Sequence, residues 1–210
     1  MHTVYRCLMA CRISYRSADG RTILQLEFEP HDAYFIVLKG KTSIPEMSFA
    51  KKERRTLCQV DGNWDIIFED RFGDRKKIST SDLTSWTDSD EEFIRHFSGT
   101  ATYSTTLTVP SHNGRLYLDL GEVKNIAEVY VNSKKVQTLW KTPFVTDISE
   151  YVSEGENCLE IKLTNLWVNR LIGDAENSDR KSYTSKVFFK KGDPLLPSGM
   201  LGPVIIVEEF

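Results

Sequence analysis

The sequence is poor in the residue types on which metal and histidine chemistry depend. Only four histidines and four cysteines occur among 210 residues. They are His2, His31, His96, His112, Cys7, Cys11, Cys58 and Cys158. Cys7 and Cys11 lie close together, but no second nearby pair or histidine cluster completes a zinc site. We therefore predict no metal site of this kind, with the cysteines as free or buried thiols.

Other absences exclude further classes of function. The net charge is −3 and no Lys/Arg stripe with interleaved aromatics occurs, so we predict no binding to nucleic acid. No Gly-x-Ser-x-Gly elbow, phosphate-cradling loop or dinucleotide fingerprint is present. No apolar run approaches the roughly 20 residues that span a bilayer. Arg6 and Arg12 interrupt the N-terminal pattern of a secretion signal, so the expectation for the chain as written is the cytoplasm.

The composition is that of a globular protein with an ample core. Hydrophobic residues make up 40% and charged residues 27% of the chain. A length of 210 residues accommodates one large β domain or a domain plus a smaller piece. It cannot accommodate a (β/α)₈ barrel of about 250 residues beside such a domain.

The clearest structural pattern lies between Arg115 and Ile148. Apolar residues alternate with polar ones over 116–120, 127–131 and 136–140, which is typical of strands with one buried face. The polar stretch 132–135 predicts a tight hairpin between the last two strands. Pro143 removes a ladder donor, so we expect an edge or a crossing between sheets there.

Similar patterns predict further short strands along the chain. They cover 22–28, 33–38, 60–70, 101–109, 158–164, 186–190 and 203–207. No convincing amphipathic helix of ten residues or more is found, and 165–198 is otherwise interpreted as a long loop. Regular short strands without helices predict a β-sandwich of jelly-roll type. We interpret 1–56 as an incomplete β segment, whose 39–55 is a linker, and 57–210 as the sandwich domain.

Two groups of short motifs occur in a fixed order along the chain. The motifs of the central stretch are Leu118–Gly121, Ala127–Asn132, Pro143-Phe144 and Asp147-Ile148. The flanking motifs are Phe97–Tyr103, Leu166–Asp174, Leu195–Gly199 and Leu201–Pro203. The central motifs resemble the sugar-binding domain of family 2 glycoside hydrolases, a galactose-binding-like jelly roll. With the flanking motifs, residues 57–210 resemble the C-terminal region of family 106 glycoside hydrolases, the α-L-rhamnosidase-like enzymes.

The resemblance carries several expectations. It implies an all-β, galactose-binding-like jelly-roll sandwich with a short N-terminal β extension. The catalytic carboxylates of the resembled enzymes belong to a barrel, and these enzymes are commonly periplasmic or secreted. We predict no cofactor. Related sandwiches often hold a structural calcium ion, but this sequence has no stretch with alternating oxygen ligands. One position departs from the family. The related sequences usually have Asn-Gly at the hairpin, whereas this chain has Ser133 in place of the glycine. Either Asn132 takes the left-handed conformation or the turn type differs.

A carbohydrate site needs an exposed aromatic plane beside fixed polar groups. Trp167, Asn169, Arg170 and Asp174 bring these residue types together within eight residues, and they are our first candidates.

Two further tryptophans have suitable neighbours. Trp86 with Asp88 is a second candidate pair, and Trp140 near Lys141 is a third. The alternative for every tryptophan is packing, which we expect for Trp64 in the core and for Trp140 half-buried at a strand end.

The acidic residues offer weaker support for catalysis. Asp88, Asp90, Glu91 and Glu92 lie on a polar loop without apolar neighbours that would raise a pKa, so we interpret them as solvated.

Three functions remain open at this stage. The first is a non-catalytic accessory or carbohydrate-binding sandwich. The second is a structural subunit that forms a homodimer or docks on a barrel-bearing partner. The third is an unfamiliar hydrolase that uses Glu91 and Glu92.

Overall fold

The computed structural model describes residues 2–6, 9–38, 40, 42–50, 52–176, 184 and 188–210. The chain divides into two compact units, Met1–Glu53 and Arg54–Phe210.

The first unit consists of two small antiparallel sheets. Their strand orders are β2-β1-β5 and β4-β3-β6. The strands are β1 (His2–Arg6), β2 (Met9–Arg12), β3 (Tyr15–Ala18), β4 (Arg21–Leu24), β5 (Tyr34–Leu38) and β6 (Glu46–Met47). Strand β5 agrees with the prediction, whereas β4 ends earlier than the predicted strand 22–28. The predicted linker 39–55 contributes β6, which pairs with β3.

The second unit is a β-sandwich, which confirms the predicted fold class. A six-stranded sheet, β14-β13-β16-β10-β8-β9, faces a four-stranded sheet, β15-β11-β18-β7, and β12 pairs with β17 in a small ribbon. The strands are β7 (Arg54–Gln59), β8 (Trp64–Glu69), β9 (Arg75–Thr80), β10 (Thr100–Val109), β11 (Arg115–Asp119), β12 (Glu122–Lys124), β13 (Ile126–Val131), β14 (Lys134–Leu139), β15 (Val145–Asp147), β16 (Gly155–Thr164), β17 (Gly199–Gly202) and β18 (Ile205–Glu209). The helices are α1 (Glu92–Arg95) and α2 (Val168–Glu176), and a 3₁₀ turn covers Trp86–Asp88.

One hydrophobic core fills the space between the two large sheets. Strand β10 pairs with β16 along all ten residues and turns Ala101, Tyr103 and Leu107 inward. Leu116 and Leu118 of β11 meet them from the opposite sheet, and all five are fully buried. The strict alternation of these residues is what allows each strand to bury one face.

Aromatic rings form one end of this core. The Phe68 ring packs edge-on against Trp86 and Phe97, with centroid distances of 5.2 and 5.1 Å. Trp86 stacks on Tyr103. Gly199 has a φ of +97°, and a Cβ there would lie 2.5 Å from the Trp86 indole nitrogen. Only glycine therefore allows β17 to pass so close to Trp86.

The segment around Pro143 crosses between sheets, as predicted. Strand β14 lies in the six-stranded sheet and β15 in the four-stranded one. Phe144, between them, is buried in the core.

The β13–β14 hairpin resolves the question raised by Ser133. Val131 pairs with Lys134, so the turn has two residues. Asn132 and Ser133 both adopt positive φ, at 49° and 65°. This is the backbone of a hairpin turn that usually carries Asn-Gly.

The Asn132 side chain locks this turn onto the start of β16. Its Nδ2 donates to the Tyr151 carbonyl and to Asn157 Oδ1, both at 2.9 Å. Its Oδ1 accepts from the Cys158 amide at 3.0 Å.

A buried carboxylate joins the strands of the smaller sheet. Glu208 accepts from the backbone amides of Asn113 and Gly114 and from the Arg55 guanidinium, at 2.7–2.9 Å. The hydrogen bond from the Asn113 amide, followed by those from Arg55 and Gly114, lowers the pKa of Glu208 to about 2. This carboxylate holds β7, β18 and the loop before β11 together.

Several elements differ from their prediction. Helix α2 lies in the predicted loop 165–198. Its apolar residues Val168, Leu171 and Ile172 recur at helical spacing, but the helix has only nine residues, fewer than the ten required for a predicted helix. Strand β9 is not among the predicted strands, and Ile78 is its only strongly apolar residue. For the predicted strand 186–190, residues 186 and 187 lie outside the described residues and 188–190 are not in a strand.

Replacement of Ser133 by glycine tests the hairpin. Glycine relieves the left-handed strain of about 1–2 kcal/mol but costs backbone entropy of about 0.5–1 kcal/mol. We expect Ser133→Gly to raise the free energy of unfolding in urea by about 0.5–1 kcal/mol. Asn132→Gly is the matched control and should lower it by about 1–3 kcal/mol, because three side-chain hydrogen bonds disappear. A loss of stability in Ser133→Gly would contradict this description of the turn.

Candidate functional site

Helix α2 is held to the sandwich by a buried ion cluster. Arg170 Nε donates to Asp174 Oδ1 at 2.8 Å, one helical turn away, and Arg170 Nη1 lies 3.6 Å from Asp70 Oδ2. The guanidinium also lies over the Phe72 ring, 5.8 Å from its centroid. Asp70 follows β8, and its Oδ1 accepts from the amides of Phe72 and Asp74. The cluster therefore fixes α2 against the turn between β8 and β9.

Asn165 fixes the chain just before α2. Its Nδ2 donates to the Phe97 carbonyl at 2.8 Å, and its Oδ1 accepts from the Gly99 amide at 3.1 Å. Ser98 Oγ donates to the Leu166 carbonyl at 3.2 Å. These bonds anchor the end of β16 to the segment that leads into β10.

Asn169 fixes the loop that returns to β17. Its Oδ1 accepts from the Leu196 amide at 2.8 Å, and its Nδ2 donates to the Leu196 carbonyl at 2.7 Å. A longer contact of 3.5 Å reaches Ser198 Oγ. The side chain thus pairs with a backbone segment as a neighbouring strand would.

A cleft of about 210 Å³ opens between these fixed segments. Its walls come from the β12–β13 connection, the start of α2 and the loop before β17. The lining residues are Lys124, Asn125, Asn165, Leu166, Val168, Asn169, Leu196, Pro197 and Ser198. Of the first sequence candidates, Asn169 is the one that lines this cleft.

Trp167 stands in the chain between two residues of this cleft. Its neighbours Leu166 and Val168 line the cleft, whereas Trp167 itself does not. Its side chain is 57% exposed.

The other first candidates are buried next to Trp167. Asn169, Arg170 and Asp174 are 2%, 5% and 9% exposed, and each is bonded within the protein. They hold the helix and the loop, which differs from the direct sugar contact expected of them. Direct contact stays a prediction for these three residues.

The second candidate pair lines a smaller cleft of about 150 Å³. Asp88 is exposed at this cleft, but Trp86 is 3% exposed and belongs to the core. Its indole N–H donates to Tyr103 Oη at 2.6 Å. Burial raises the pKa of Tyr103 to about 12. The ring of Trp86 therefore lacks the exposed face that stacking on a sugar requires.

The remaining tryptophans divide between core and surface. Trp64 is fully buried, as expected. Trp140 is more exposed than the half-buried side chain expected there and follows the last residue of β14.

Four lining residues had no sequence signal of their own as site residues. Lys124, Asn125, Leu196 and Ser198 come from segments more than 70 residues apart. Of these four residues, only Leu196 and Ser198 belong to a motif noted in the sequence, 195–199. That motif indicates the family and does not predict a cleft.

The acidic residues of the loop at 88–92 are solvated, as interpreted. Asp88, Asp90, Glu91 and Glu92 are all exposed, and Glu91 pairs with Lys76 at 2.8 Å.

Within the described ranges, no group of three or more His, Cys, Asp or Glu side chains is placed to hold a metal ion. No helix in the described part of the chain is long and apolar enough to cross a membrane.

The family described as "Glycosyl hydrolases family 2, sugar binding domain" matches residues 35–188. The chain belongs to this family, and the match is to its sugar-binding domain and not to a catalytic domain.

Two known proteins are similar to most of this chain. A putative beta-glucuronidase of Formosa agariphila is 40% identical over 180 residues, which cover 70% of this chain and 16% of that protein. The rhamnosidase of Novosphingobium sp. PP1Y superposes with a TM-score of 0.90 at 32% identity, over 99% of this chain and 20% of that one. The chain therefore spans about a fifth or less of the length of these enzymes.

A more distant structure shares the fold. The beta-D-glucuronidase of Dictyoglomus thermophilum has a TM-score of 0.52 at 22% identity, over 77% of this chain and 28% of that one.

Removal of the Arg170 charge tests the ion cluster. Arg170→Met keeps the length of the side chain but leaves two buried carboxylates uncompensated. We expect the free energy of unfolding in urea to fall by about 3–5 kcal/mol. Arg115→Met is the matched control, because Arg115 pairs with Asp147 on the surface, and should cost at most about 1 kcal/mol. Equal losses in the two variants would show that the cluster does not hold α2.

Proposed function

We propose that this chain is the accessory sandwich of a rhamnosidase-like glycoside hydrolase of family 106, and that it binds carbohydrate without catalysing hydrolysis. Its support is the match to a rhamnosidase over 99% of the chain, together with membership of a family of sugar-binding domains. Because the chain spans only a fifth of that rhamnosidase, catalysis is assigned to the remainder of such an enzyme.

The observation that carries this proposal is the cleft beside Trp167. A sugar ring has an apolar C–H face and a rim of hydroxyls, so it needs an apolar wall near polar groups. The cleft combines Leu166, Val168 and Leu196 with Asn125 and Lys124. Trp167, which is exposed and stands in the chain between Leu166 and Val168, would supply a stacking plane to a longer chain of sugars.

The exposure of the acidic loop supports a non-catalytic role. A glycosidase needs two carboxylates on either side of the scissile bond, one of them with a raised pKa. Asp88, Asp90, Glu91 and Glu92 are all exposed to solvent, and Glu91 is paired with Lys76. The third hypothesis, hydrolysis by Glu91 and Glu92, is therefore the least supported.

Replacement of Trp167 tests the binding function. The probes are L-rhamnose-containing oligosaccharides and galacturonan fragments, titrated calorimetrically. We expect Trp167→Ala to weaken binding about tenfold, equivalent to about 1.4 kcal/mol, because the stacking plane is lost.

Phe210→Ala is the matched control for this experiment. Phe210 is also 57% exposed but follows β18 in the other large sheet. Its affinity should equal that of the wild type. Absence of binding to every probe in the wild type, or unchanged affinity in Trp167→Ala, would contradict the proposal.

A second candidate function is docking on a catalytic domain of the same class of enzyme. Ile126 pairs with Thr164 and Ala127 pairs with Leu139, so Trp140 follows directly at the same end of the sheet as Ile126. Ile126, Trp140, Leu166 and Trp167 are all exposed. An exposed apolar surface of this kind favours a protein partner. Docking would be weakened by Trp140→Ala, whereas sugar binding in the cleft would not.

A further inference from the structure

Strand β5 forms one edge of the sheet β2-β1-β5 in the first unit. It pairs with β1 over Tyr34–Leu38, and no other strand among the described residues pairs with its outer edge. The backbone groups along such an edge are a template for a further strand. The run 33–38 has neither a charge nor a proline, the features with which edges usually resist pairing. The opposite edge, β2, is shorter and ends in the charged Arg12.

The side chains of β5 are apolar and exposed on both faces of the sheet. Phe35 is 76% exposed, and Ile36 and Leu38 are 43% and 56% exposed. Alternation along a strand puts Phe35 on one face and Ile36 with Leu38 on the other. A strand added at the outer edge would therefore cover apolar surface on both faces, and burial of such surface favours association.

Charges on either side of β5 indicate what kind of strand fits this edge. Glu29 and Asp32 precede the strand in the sequence, and Lys39 and Lys41 follow it. Two such strands in antiparallel orientation bring the acidic end of one to the basic end of the other, whereas parallel strands bring like charges together. Like charges across a strand pair are destabilising. The segment is thus complementary to a second copy of itself in antiparallel orientation.

We propose that two copies of this chain associate through β5, antiparallel about a two-fold axis, with Ile36 opposite the partner's Ile36. This register overlaps all five residues of the strand, because residue 36 is its midpoint. Phe35 then lies opposite the partner's Val37, and the two three-stranded sheets become one sheet of six strands. Closed two-fold contacts of this kind use the same surface on both copies. The inference concerns a protein partner and does not depend on the proposed binding of sugar.

Sedimentation equilibrium of the wild-type chain tests the association itself. A contact of five residues on each strand is small beside a standard interface of roughly 1,200–2,000 Å². We therefore expect reversible association, with the mean mass rising from one chain towards two between about 1 and about 500 µM, a range that brackets micromolar dissociation constants. A mean mass of one chain over the whole range would overturn the proposal.

A charge at the two-fold axis tests the position of the interface. Ile36→Lys places two lysines opposite each other, so we expect the dimer to dissociate at least about tenfold more readily. Ile126→Lys is the matched control, because Ile126 is 41% exposed but lies in β13 of the second unit. It should associate as the wild type does. Weakening by Ile126→Lys, with Ile36→Lys unchanged, would place the interface on the sandwich and contradict the proposal.

Paired cysteine variants test the register without adding a charge. Opposite residues of antiparallel strands have Cα atoms about 4.5–5.5 Å apart, within the range of about 4.4–6.8 Å that a disulfide spans. Ile36→Cys should therefore form a dimer linked by a disulfide when the protein is oxidised in air with copper phenanthroline. Leu38→Cys is the control on the same face. Its two copies are four residues apart along the strands, about 13 Å, so it should give no more cross-linked dimer than the wild type.

The control also accounts for the four native cysteines, which are present in both variants and in the wild type. Cross-linking is read on a non-reducing gel at the highest concentration used for sedimentation. Equal cross-linking of Ile36→Cys and Leu38→Cys would show random collision and not a fixed register. Cross-linking of Leu38→Cys alone would also reject the register, and with it the antiparallel pairing of the full strand.

Discussion

The ion cluster of Arg170, Asp70 and Asp174 is the interaction on which the candidate site depends. Helix α2 has nine residues, a length at which a helix is marginal without tertiary contacts. Its buried face is largely polar, so hydrophobic burial alone does not hold it. The guanidinium instead joins the helix to the carboxylate that follows β8. A buried charge is tolerated here because each member of the cluster has a partner of opposite sign.

The cleft follows from this anchoring. Once α2 is fixed, Asn169 fixes Leu196, and the wall of the cleft is set on both sides. The glycine at 199 then lets the chain pass Trp86 and return to the sheet as β17. Residues that the motif suggested for sugar contact thus supply the rigid support, and the residues around them form the surface. A preorganised wall of this kind lowers the entropic cost of binding.

The sequence was sufficient to predict the sandwich and its central hairpin. Alternation in β10, β11, β13 and β16 is strict because both large sheets bury one face, and that pattern is local. Edge strand β9 escaped prediction because Ile78 is its only strongly apolar residue, preceded by three charged residues and followed by Ser79 and Thr80. Helix α2 escaped prediction because it has only nine residues, and its few apolar residues share the buried face with Asn169, Arg170 and Asp174.

The candidate site was predictable only in part, because contacts between residues that are distant in the sequence form it. Trp167 carried a local signal, an aromatic residue among polar ones on an irregular segment, and it is exposed as a binding residue must be. Whether a tryptophan is buried depends on residues that are distant in the sequence. The residues next to Trp86 and Trp167 therefore could not show that the first is buried and the second exposed. Asn125 and Leu196 meet only through the fold, so no spacing along the chain could pair them.

The most direct test of the central claim is a crystal structure of the chain soaked with L-rhamnose at a concentration that saturates the solution titration. The account predicts one ordered sugar ring in the cleft between Asn125 and Leu196. Density for the sugar confined to other surfaces, with the cleft empty, would contradict it.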